Sequence, residues 1–395
     1  MHKSRATLRN VGWLCVVAAL LLNIVGIAAI NTAPDPYESG YAQRQIVHLA
    51  VGLLAAVVVA VPHYQRWRRL SYPGMLIMLL LLVFVLVPWV PEVIVRPRNG
   101  ARRWISLLVT DFQPSELAKI AYVLALANYL RFRRNYRRFL GLLLPLLLTF
   151  IPMGLVLIEP DLGTAMLFLP TLFAMLIAAG AKIRHLLIII VLGLSMAPAM
   201  YPLLKPHQED RIKAMIAQVR GDERYVNDIG YQGARAMTLV AAGRLTGVGR
   251  EKARELAYYN HLPESHNDMI FAVICCSWGM MGALITWALF AVLCLGGILT
   301  AALCKDPFGR LVAVGLTAAL FAQVTINNGM TVGLMPITGM TLPFVSYGGS
   351  SLVTAWLMIG LLFNIATRRP QYLSRHSFEF DEPSEDERYG VVAAS

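Results

Sequence analysis

The sequence predicts an all-α polytopic membrane protein with about ten transmembrane helices, both termini in the cytoplasm and one long extracytoplasmic loop before the eighth helix. Of its 395 residues, 57% are hydrophobic and only 15% are charged, against about 25% charged residues in a typical soluble domain. The mean hydropathy is +0.59. A soluble core could not bury so much apolar surface, so the expected solvent is lipid.

The apolar residues fall into runs close to the roughly 20 residues that a helix needs to cross the hydrocarbon. The first run lacks a clear small-residue cleavage site, so we expect it to remain as the first anchor. The eighth run is too long for one upright span and predicts one tilted helix with trailing interfacial turns. The ten runs are 11–30, 46–62, 73–91, 114–130, 139–158, 162–181, 185–203, 267–303, 311–330 and 345–367.

Charge predicts the orientation of these spans. The short segments on the side of the N-terminus hold 18 Lys and Arg residues, and the short segments on the other side hold five. This excess is typical of cytoplasmic loops, so it places 1–10 and 368–395 in the cytoplasm. The net positive charge of the chain then reflects its orientation, with the basic loops facing the anionic inner leaflet. Nucleic-acid binding is therefore a poor hypothesis.

The same scheme divides the chain into a membrane domain, 11–367, and a C-terminal tail that is acidic after Arg375 and predicted to be disordered. Within the membrane domain, 204–266 forms the long outer loop. The five cysteines lie in apolar runs or beside a predicted inner loop, so we expect no disulfide framework. The sequence also contains no metal-ligand spacing.

Four of the five outer basic residues are clustered, against the charge rule. Arg96, Arg98, Arg102 and Arg103 lie in a single segment before the fourth span. Clustered guanidinium groups suit a phosphate or pyrophosphate, because they form bidentate, charge-assisted hydrogen bonds. Anchoring at the membrane interface, together with Trp104, is the alternative.

Ionisable residues also begin the fourth and sixth spans. Glu116 and Lys119 form an i,i+3 pair of opposite charge, which predicts either a functional site or a salt bridge that holds the helix near the interface. Asp161 follows Pro160 in a turn between two spans, where it can cap the sixth helix or serve a site.

The long outer loop re-enters the membrane through Glu264, His266 and Asp268. If the helix has begun, Glu264 and Asp268 lie on one face, and Asp268 could act as a general base toward a hydroxyl presented from outside. The alternative is a capping-box-like pattern in which Ser265 caps the helix and Asp268 is its third residue.

Gly, Pro and hydroxyl residues separate the last two spans, in Asn327-Asn-Gly329 and over 336–350. Non-helical backbone at membrane depth persists only where protein or a water-filled cavity covers it. The segment therefore predicts a re-entrant element that lines a site, with a plain surface loop as the alternative.

Over 11–367 the sequence resembles the SEDS family (shape, elongation, division and sporulation), which includes RodA, FtsW and SpoVE. Several motifs in matching topological places carry the resemblance, and Asp268 matches the family's essential outer aspartate. The motifs are Arg103-Trp-Ile, Gln113-Pro-Ser-Glu-Leu-Ala-Lys119, Pro160-Asp-Leu-Gly-Thr164, Leu262-Pro-Glu-Ser-His266 and Leu342-Pro-Phe-Val-Ser-Tyr-Gly-Gly-Ser-Ser351.

The resemblance implies an inverting peptidoglycan glycosyltransferase that polymerises lipid II at the outer face of the bacterial cytoplasmic membrane. It also implies a class B penicillin-binding transpeptidase as partner and a divalent cation, Mg or Mn, as cofactor. Asp268 would deprotonate the acceptor sugar. The residues that would bind the substrate or its pyrophosphate are Arg98, Arg102, Arg103, Glu116, Lys119, Asp161, Glu264, His266, Ser346, Tyr347 and Ser350.

Three departures from the family pattern keep other functions open. Asn267 and Met269 flank Asp268 where the family has Thr and Phe, Cys276-Ser277 replaces paired glutamates, and Arg250 opens the segment where a Gln is usual. Cys276-Ser277 motivates one alternative, a catalytically silent scaffold for a transpeptidase. The resemblance itself leaves a second alternative, a flippase for lipid II in which the same Arg and Asp residues would line a translocation path. The shared motifs are common to elongation, division and sporulation proteins and do not separate these roles.

Overall fold

The computed structural model describes residues 2–34, 40–98, 101–106, 111–132, 139–200, 209–210, 212–213, 216 and 230–368. Within them, each of the ten apolar runs overlaps one long helix. The ten long helices are α1 (His2–Thr32), α2 (Tyr41–Ala60), α3 (Tyr64–Leu86), α4 (Pro114–Leu130), α5 (Leu143–Ile158), α6 (Leu162–Ala178), α7 (Ile183–Met200), α10 (Ile270–Leu303), α11 (Pro307–Thr331) and α12 (Gly349–Thr367).

Length and composition make eight of these helices able to cross a membrane, namely α1, α2, α3, α5 with the 3₁₀ turn Phe139–Leu142 before it, α6, α10, α11 and α12. The other two are α4, with 17 residues, and α7, with 18. Two shorter helices, α8 (Tyr231–Gly243) and α9 (Arg250–Tyr259), lie in the segment predicted as the long outer loop. The chain is thus a multi-pass helical membrane protein.

Helix α4 is the centre of the bundle. Fifteen of its 17 residues are buried, and it packs against α3, α5, α6, α11 and α12. The peripheral helices instead turn leucine, isoleucine and valine outward, as Leu54 of α2 and Val191 of α7 illustrate. Apolar side chains on the outside and a dense interior are what a bundle in lipid requires, since lipid solvates apolar surface.

A break in α10 corrects the prediction of a single tilted helix over 267–303. Gly279 has φ 64° and ψ −158°, which separates a short N-terminal part from a long C-terminal part. A side chain is poorly tolerated at this φ, which glycine adopts without steric cost. Beyond the break, the amides of Met280 and Met281 donate to the carbonyls of Arg244 and Leu245.

The loop between α8 and α9 fills that break. The amides of Val248 and Gly249 donate to the carbonyls of Cys276 and Ser277, 2.9 and 3.2 Å away. The approach is close, since a Cβ on Gly243 would lie 1.8 Å from the Cys275 carbonyl oxygen. The glycine-rich segment is therefore a docking element for the broken helix, and Cys276-Ser277 contributes backbone acceptors to it.

A small antiparallel sheet between α3 and α4 is an addition to the predicted all-α fold. Its strands are β1 (Val95–Arg98), β2 (Ala101–Ser106) and β3 (Asp111–Phe112), in the order β1-β2-β3. The sequence carries a signal for this hairpin, because Asn99-Gly100 stands between β1 and β2, and Asn-Gly is strongly favoured in two-residue hairpin turns.

Other helix boundaries also differ from the predicted apolar runs. Helix α3 begins at Tyr64, nine residues before the predicted run, so Pro73 lies inside it. The basic residues Arg66, Arg68 and Arg69 lie in its first two turns. Helix α12 begins at Gly349 and leaves 345–348 in the preceding loop. The acidic tail lies outside the described residues.

Candidate functional site

Asp268 lies in a turn just before α10, and the predicted helical context of this residue is wrong. Residues 263–269 form turns, and the helix begins at Ile270 with Met269 as its N-cap and without a side-chain cap. Glu264 has φ 50°, and its carbonyl accepts from the amides of Asn267 and Met269. Glu264 and Asp268 therefore do not share a helix face, and Ser265 does not cap the helix.

The carboxylate of Asp268 is nonetheless placed inside the protein. The residue is 5% exposed, and Oδ2 accepts a long hydrogen bond, 3.4 Å, from Nε2 of Gln232 on α8. The same oxygen lies 4.0 Å from the position of a Cβ on Gly339, which belongs to the loop before α12. Glu264, in contrast, is exposed, and its carboxylate accepts from the Asn267 side chain.

His266 belongs to an aromatic cluster with α2. Its ring stacks on Tyr41 with a centroid distance of 4.1 Å, and Tyr347 lies 4.9 Å from Tyr41. The Tyr347 amide also donates to the His266 carbonyl, 2.9 Å away. The predicted residues His266 and Tyr347 are thus brought together, and the cluster joins the Asp268 turn to α2.

The segment 336–348 is a largely buried non-helical loop, in which Gly339 is exposed. Thr338, Met340, Leu342 and Phe344 are all buried. Ser346 fixes the end of the loop, since its hydroxyl accepts from the Leu342 amide at 2.7 Å. Protein therefore covers most of this irregular backbone, which favours the re-entrant element over a plain surface loop.

Asp161 caps α6 and also joins it to α4. Oδ1 accepts from the Thr164 amide at 3.1 Å, which is the predicted cap. Oδ2 accepts from the Ser115 hydroxyl and from Nε2 of Gln113, at 3.1 and 3.0 Å. Ser350, at the start of α12, accepts from the Gln113 amide, so the first turns of α4, α6 and α12 form one hydrogen-bonded group.

Glu116 and Lys119 form the predicted ion pair inside the bundle. Nζ of Lys119 lies 2.9 Å from Oε2 of Glu116 and donates to Oε1 of Gln323 on α11, 3.3 Å away. Gln323 in turn donates to the Thr341 carbonyl at 2.9 Å. The pair is therefore buried and connected through α11 to the loop that faces Asp268.

Two arginines of the hairpin contact backbone carbonyls. Arg102 donates to the carbonyls of Pro88, at 2.8 Å, and Val90. Arg103 donates to the carbonyls of Glu159, at 2.8 Å, and Pro160. The side chain of Arg98 lies outside the described residues. The guanidinium groups of Arg102 and Arg103 thus anchor the sheet to neighbouring turns, whereas Arg96 is exposed.

Glu159 is a buried carboxyl beside these groups. It is 1% exposed, and in the described part of the chain neither carboxyl oxygen has a hydrogen-bond partner. Burial, reinforced by the nearby Asp161 and opposed by Arg103, raises the pKa of Glu159 to about 9. The side chain is therefore neutral at pH 7.

Three residues that the sequence reasoning missed connect the predicted ones, namely Gln45, Gln232 and Gln323. Gln45 donates to the Ser346 carbonyl, and Asn327, which the sequence assigned to the re-entrant element, donates to the Asp268 and Met340 carbonyls. Gln45, Gln323 and Asn327 are uncharged polar residues within or beside apolar runs. Their polarity in an apolar setting could have identified them from the sequence, because buried polar groups in lipid require hydrogen-bond partners.

Taken together, the first turns of α2, α4, α6 and α12, the last turns of α11 and the Asp268 turn meet at one end of the bundle. The arrangement offers a buried carboxylate as a possible proton acceptor and a buried ammonium group at Lys119. Within the described residues, no three His, Cys, Asp or Glu side chains are grouped as metal ligands. A preformed metal site of that kind is therefore not part of the described geometry.

Comparison with known proteins gives consistent results. The profile of the cell cycle protein family of FtsW, RodA and SpoVE matches residues 8–371. The chain is 33% identical to the stage V sporulation protein E of Bacillus subtilis, over 89% of this chain and 96% of that protein. It is 35% identical to a probable peptidoglycan glycosyltransferase FtsW of Thiomicrospira cyclica, over 89% and 90% of the two chains.

Two solved structures share the fold. A chain of a peptidoglycan synthase complex that coordinates polymerization and crosslinking has a TM-score of 0.77 at 32% identity, covering 91% of this chain and 98% of that one. The rod shape determining protein RodA of Thermus thermophilus has a TM-score of 0.66 at 30% identity, with the same coverage.

Proposed function

The chain belongs to the SEDS family of FtsW, RodA and SpoVE, and we propose that it polymerises lipid II into glycan strands at the outer face of the bacterial cytoplasmic membrane. Its relatives are named peptidoglycan glycosyltransferases, and the chain is an enzyme of that class. The observation that carries the finer proposal is the buried carboxylate of Asp268 at the end of the bundle where the family's motifs meet.

Asp268 acts as the general base in this proposal. Its carboxylate takes the proton from the 4-hydroxyl of the acceptor GlcNAc, and that oxygen attacks the anomeric carbon of the donor MurNAc. The bond from this carbon to the pyrophosphate oxygen breaks, so undecaprenyl pyrophosphate leaves and the anomeric carbon is inverted. Burial at 5% exposure and the contact from Gln232 support this role, since they hold the carboxylate in place.

The leaving pyrophosphate needs positive charge. Lys119 supplies a buried ammonium, whose value for a developing anion is high because water is excluded there. Arg102 and Arg103 lie at the same end, and they would have to exchange backbone carbonyls for phosphate oxygens. Arg98, Glu264, His266, Ser346, Tyr347 and Ser350 stay predictions as further substrate contacts.

A divalent cation, Mg or Mn, is proposed to arrive with the substrate. Mg²⁺ commonly binds through one or two carboxylates and takes its other ligands from substrate phosphates and water. Asp161, whose oxygens lie at this end of the bundle, is the residue that fits such a role. Bound there, the cation would neutralise pyrophosphate charge.

A class B penicillin-binding transpeptidase is the proposed partner. A structural relative with 98% of its chain covered belongs to a peptidoglycan synthase complex that couples polymerization to crosslinking. We therefore expect the polymerase activity to require a cognate transpeptidase or to increase when it is present.

The test is synthesis of glycan chains from labelled lipid II in detergent, by the purified protein alone and with its transpeptidase. Asp268→Asn is the informative variant, and Asp306→Asn is its matched control. Asp306 caps the opposite end of α11, and Asn also caps helices well. We expect polymer from the wild type and the control and none from Asp268→Asn.

Two results would overturn the proposal. If wild type and Asp268→Asn are equally inert yet equally scramble lipid II in vesicles, the protein is a transporter of the lipid-linked precursor. If both are inert in both assays while the transpeptidase still binds, the chain is a scaffold.

A further inference from the structure

Asn327 directly ties the backbone of Asp268 to helix α11. It lies in the last turns of α11 and is 0% exposed. Its Nδ2 donates to the Asp268 carbonyl at 2.8 Å and to the Met340 carbonyl at 2.6 Å. A single side-chain amide thus uses both of its N–H groups to hold two segments together.

Both segments need such support, because neither is part of a helix or a strand. The Asp268 turn ends at an N-cap without a side-chain hydrogen bond. The other segment, around Gly339 and Met340, lacks regular secondary structure, and Gly339 has a positive φ of 71°. Irregular backbone is positioned by whatever its carbonyl groups bond to, since no ladder of main-chain bonds does so.

The two segments face each other across the carboxylate. The Cβ position of Gly339 is 4.0 Å from Oδ2 of Asp268, so the loop forms one wall of the space beside this oxygen. Gln323, one turn earlier on the same face of α11, donates to the next carbonyl of the loop, that of Thr341. The wall is therefore held at two consecutive residues by α11.

We propose that Asn327 is a positioning residue that sets the separation between the Asp268 carboxylate and the 338–342 loop, and so the place where an acceptor hydroxyl can approach. The inference rests on the proposed function for its catalytic consequence. Asn327 does not touch the reacting atoms in this account and acts through Asp268.

A purely space-filling role makes different predictions. Asn327→Asp preserves the volume but replaces both donors with an acceptor that faces two carbonyl oxygens, whereas Asn327→Ala removes volume and donors together. Asn328 provides the matched control, since it is the same residue type, on the same helix and also buried. In the described part of the chain, no hydrogen bond joins its side chain to Asp268 or Met340.

The experiment measures kcat and KM for lipid II in the holoenzyme with its transpeptidase, per folded molecule, for Asn327→Ala, Asn327→Asp, Asn328→Ala and Asn328→Asp. We expect both Asn327 variants to lose about 10- to 100-fold in kcat with KM changed by less than about threefold, since a misplacement of about 1 Å costs this much. Both Asn328 variants should stay within about threefold of wild type.

A double variant with Asp268→Glu adds a second criterion. If Asn327 acts only through Asp268, adding Asn327→Ala to Asp268→Glu costs much less than it costs the wild type. Equal losses at positions 327 and 328, or strictly additive losses with Asp268→Glu, would overturn the proposal.

Amide hydrogen exchange tests the same link without activity. Asn327→Ala should speed exchange in peptides covering both 263–269 and 336–342, and Asn328→Ala should change neither. If the wild type proves inert as a polymerase, the proposed function fails, but this measurement still decides the coupling. Unchanged exchange in either segment would refute it.

Discussion

The buried ion pair on α4 gives the sharpest prediction about stability. Lys119 and Glu116 are 3% and 7% exposed in their side chains, with 2.9 Å between Nζ and Oε2. Removing one partner leaves the other charge buried without its counter-charge, which costs about 3–5 kcal/mol. Replacing both partners by uncharged groups leaves no such charge, so the loss should be much smaller than the sum of the two single losses.

The perturbations are Glu116→Gln, Lys119→Met and the double variant, and the assay is the free energy of unfolding in detergent or lipid. The exposed pair of Glu209 and Lys213, at 2.7 Å with 34% and 45% exposure, serves as control. Glu209→Gln should cost no more than about 1 kcal/mol. Single losses at α4 below about 1 kcal/mol, or additive losses, would refute the reasoning.

The same double variant separates structure from function. If Lys119 also stabilises the leaving pyrophosphate, the double variant should be folded yet lose most of its polymerase activity. A folded double variant with full activity would confine the pair to a structural role.

Three further predictions concern the turns around this site and the docked loop. The pKa of Glu159 is raised from 4.5 to about 9 in the folded state, so the free energy of unfolding should fall as pH rises between these values, by at most about 1.4 kcal/mol per pH unit. Glu159→Gln should remove this slope from the pH dependence of Tm. Parallel Tm–pH curves for the wild type and the variant would contradict this prediction. Gly243→Ala should destabilise the protein by about 1–3 kcal/mol or more, since its Cβ would lie 1.8 Å from the Cys275 carbonyl oxygen. The Cβ of the control variant Gly154→Ala meets nothing within 4 Å, so this variant should be neutral or stabilising in the same Tm assay. Asp161→Ala should lower the free energy of unfolding by at least about 1 kcal/mol through loss of the α6 cap and of the Ser115 bond, and an unchanged value would show that the cap is dispensable.

The ten long helices could be predicted because each is encoded by a local pattern, an apolar run bounded by charged residues or proline. The run 114–130 even coincides with α4 at both ends. Burial of the 336–348 loop was also predictable, since irregular backbone between two spans must be covered by protein or water.

The remaining features depend on contacts between distant segments. The break at Gly279 is stabilised by carbonyl groups near Arg244, 35 residues earlier, and no local pattern around Gly279 shows this. Asn327 and Gln323 matter because a loop near Met340 lies against α11. In the sequence they are polar residues in an apolar run, and periodicity cannot identify the three backbone carbonyls to which they donate, those of Asp268, Met340 and Thr341.

The sequence predicted which residues lie together at the candidate site better than it predicted their local backbone structure. Asp268, Lys119, Asp161 and Ser350 do meet at one end of the bundle. Their local settings differ from expectation, because Asp268 lies in a turn before the helix and not within it. The reason is the turn that Glu264 forms with a positive φ, which postpones the start of α10.

The most direct measurement of the central claim is the initial rate of glycan synthesis from labelled lipid II by Asp268→Asn, relative to wild type, with the transpeptidase present and folded protein matched. A positioned general base contributes roughly 10²- to 10⁴-fold, so the rate should fall by at least about 100-fold. A variant that keeps more than about a tenth of the wild-type rate would contradict the assignment of Asp268 as the base.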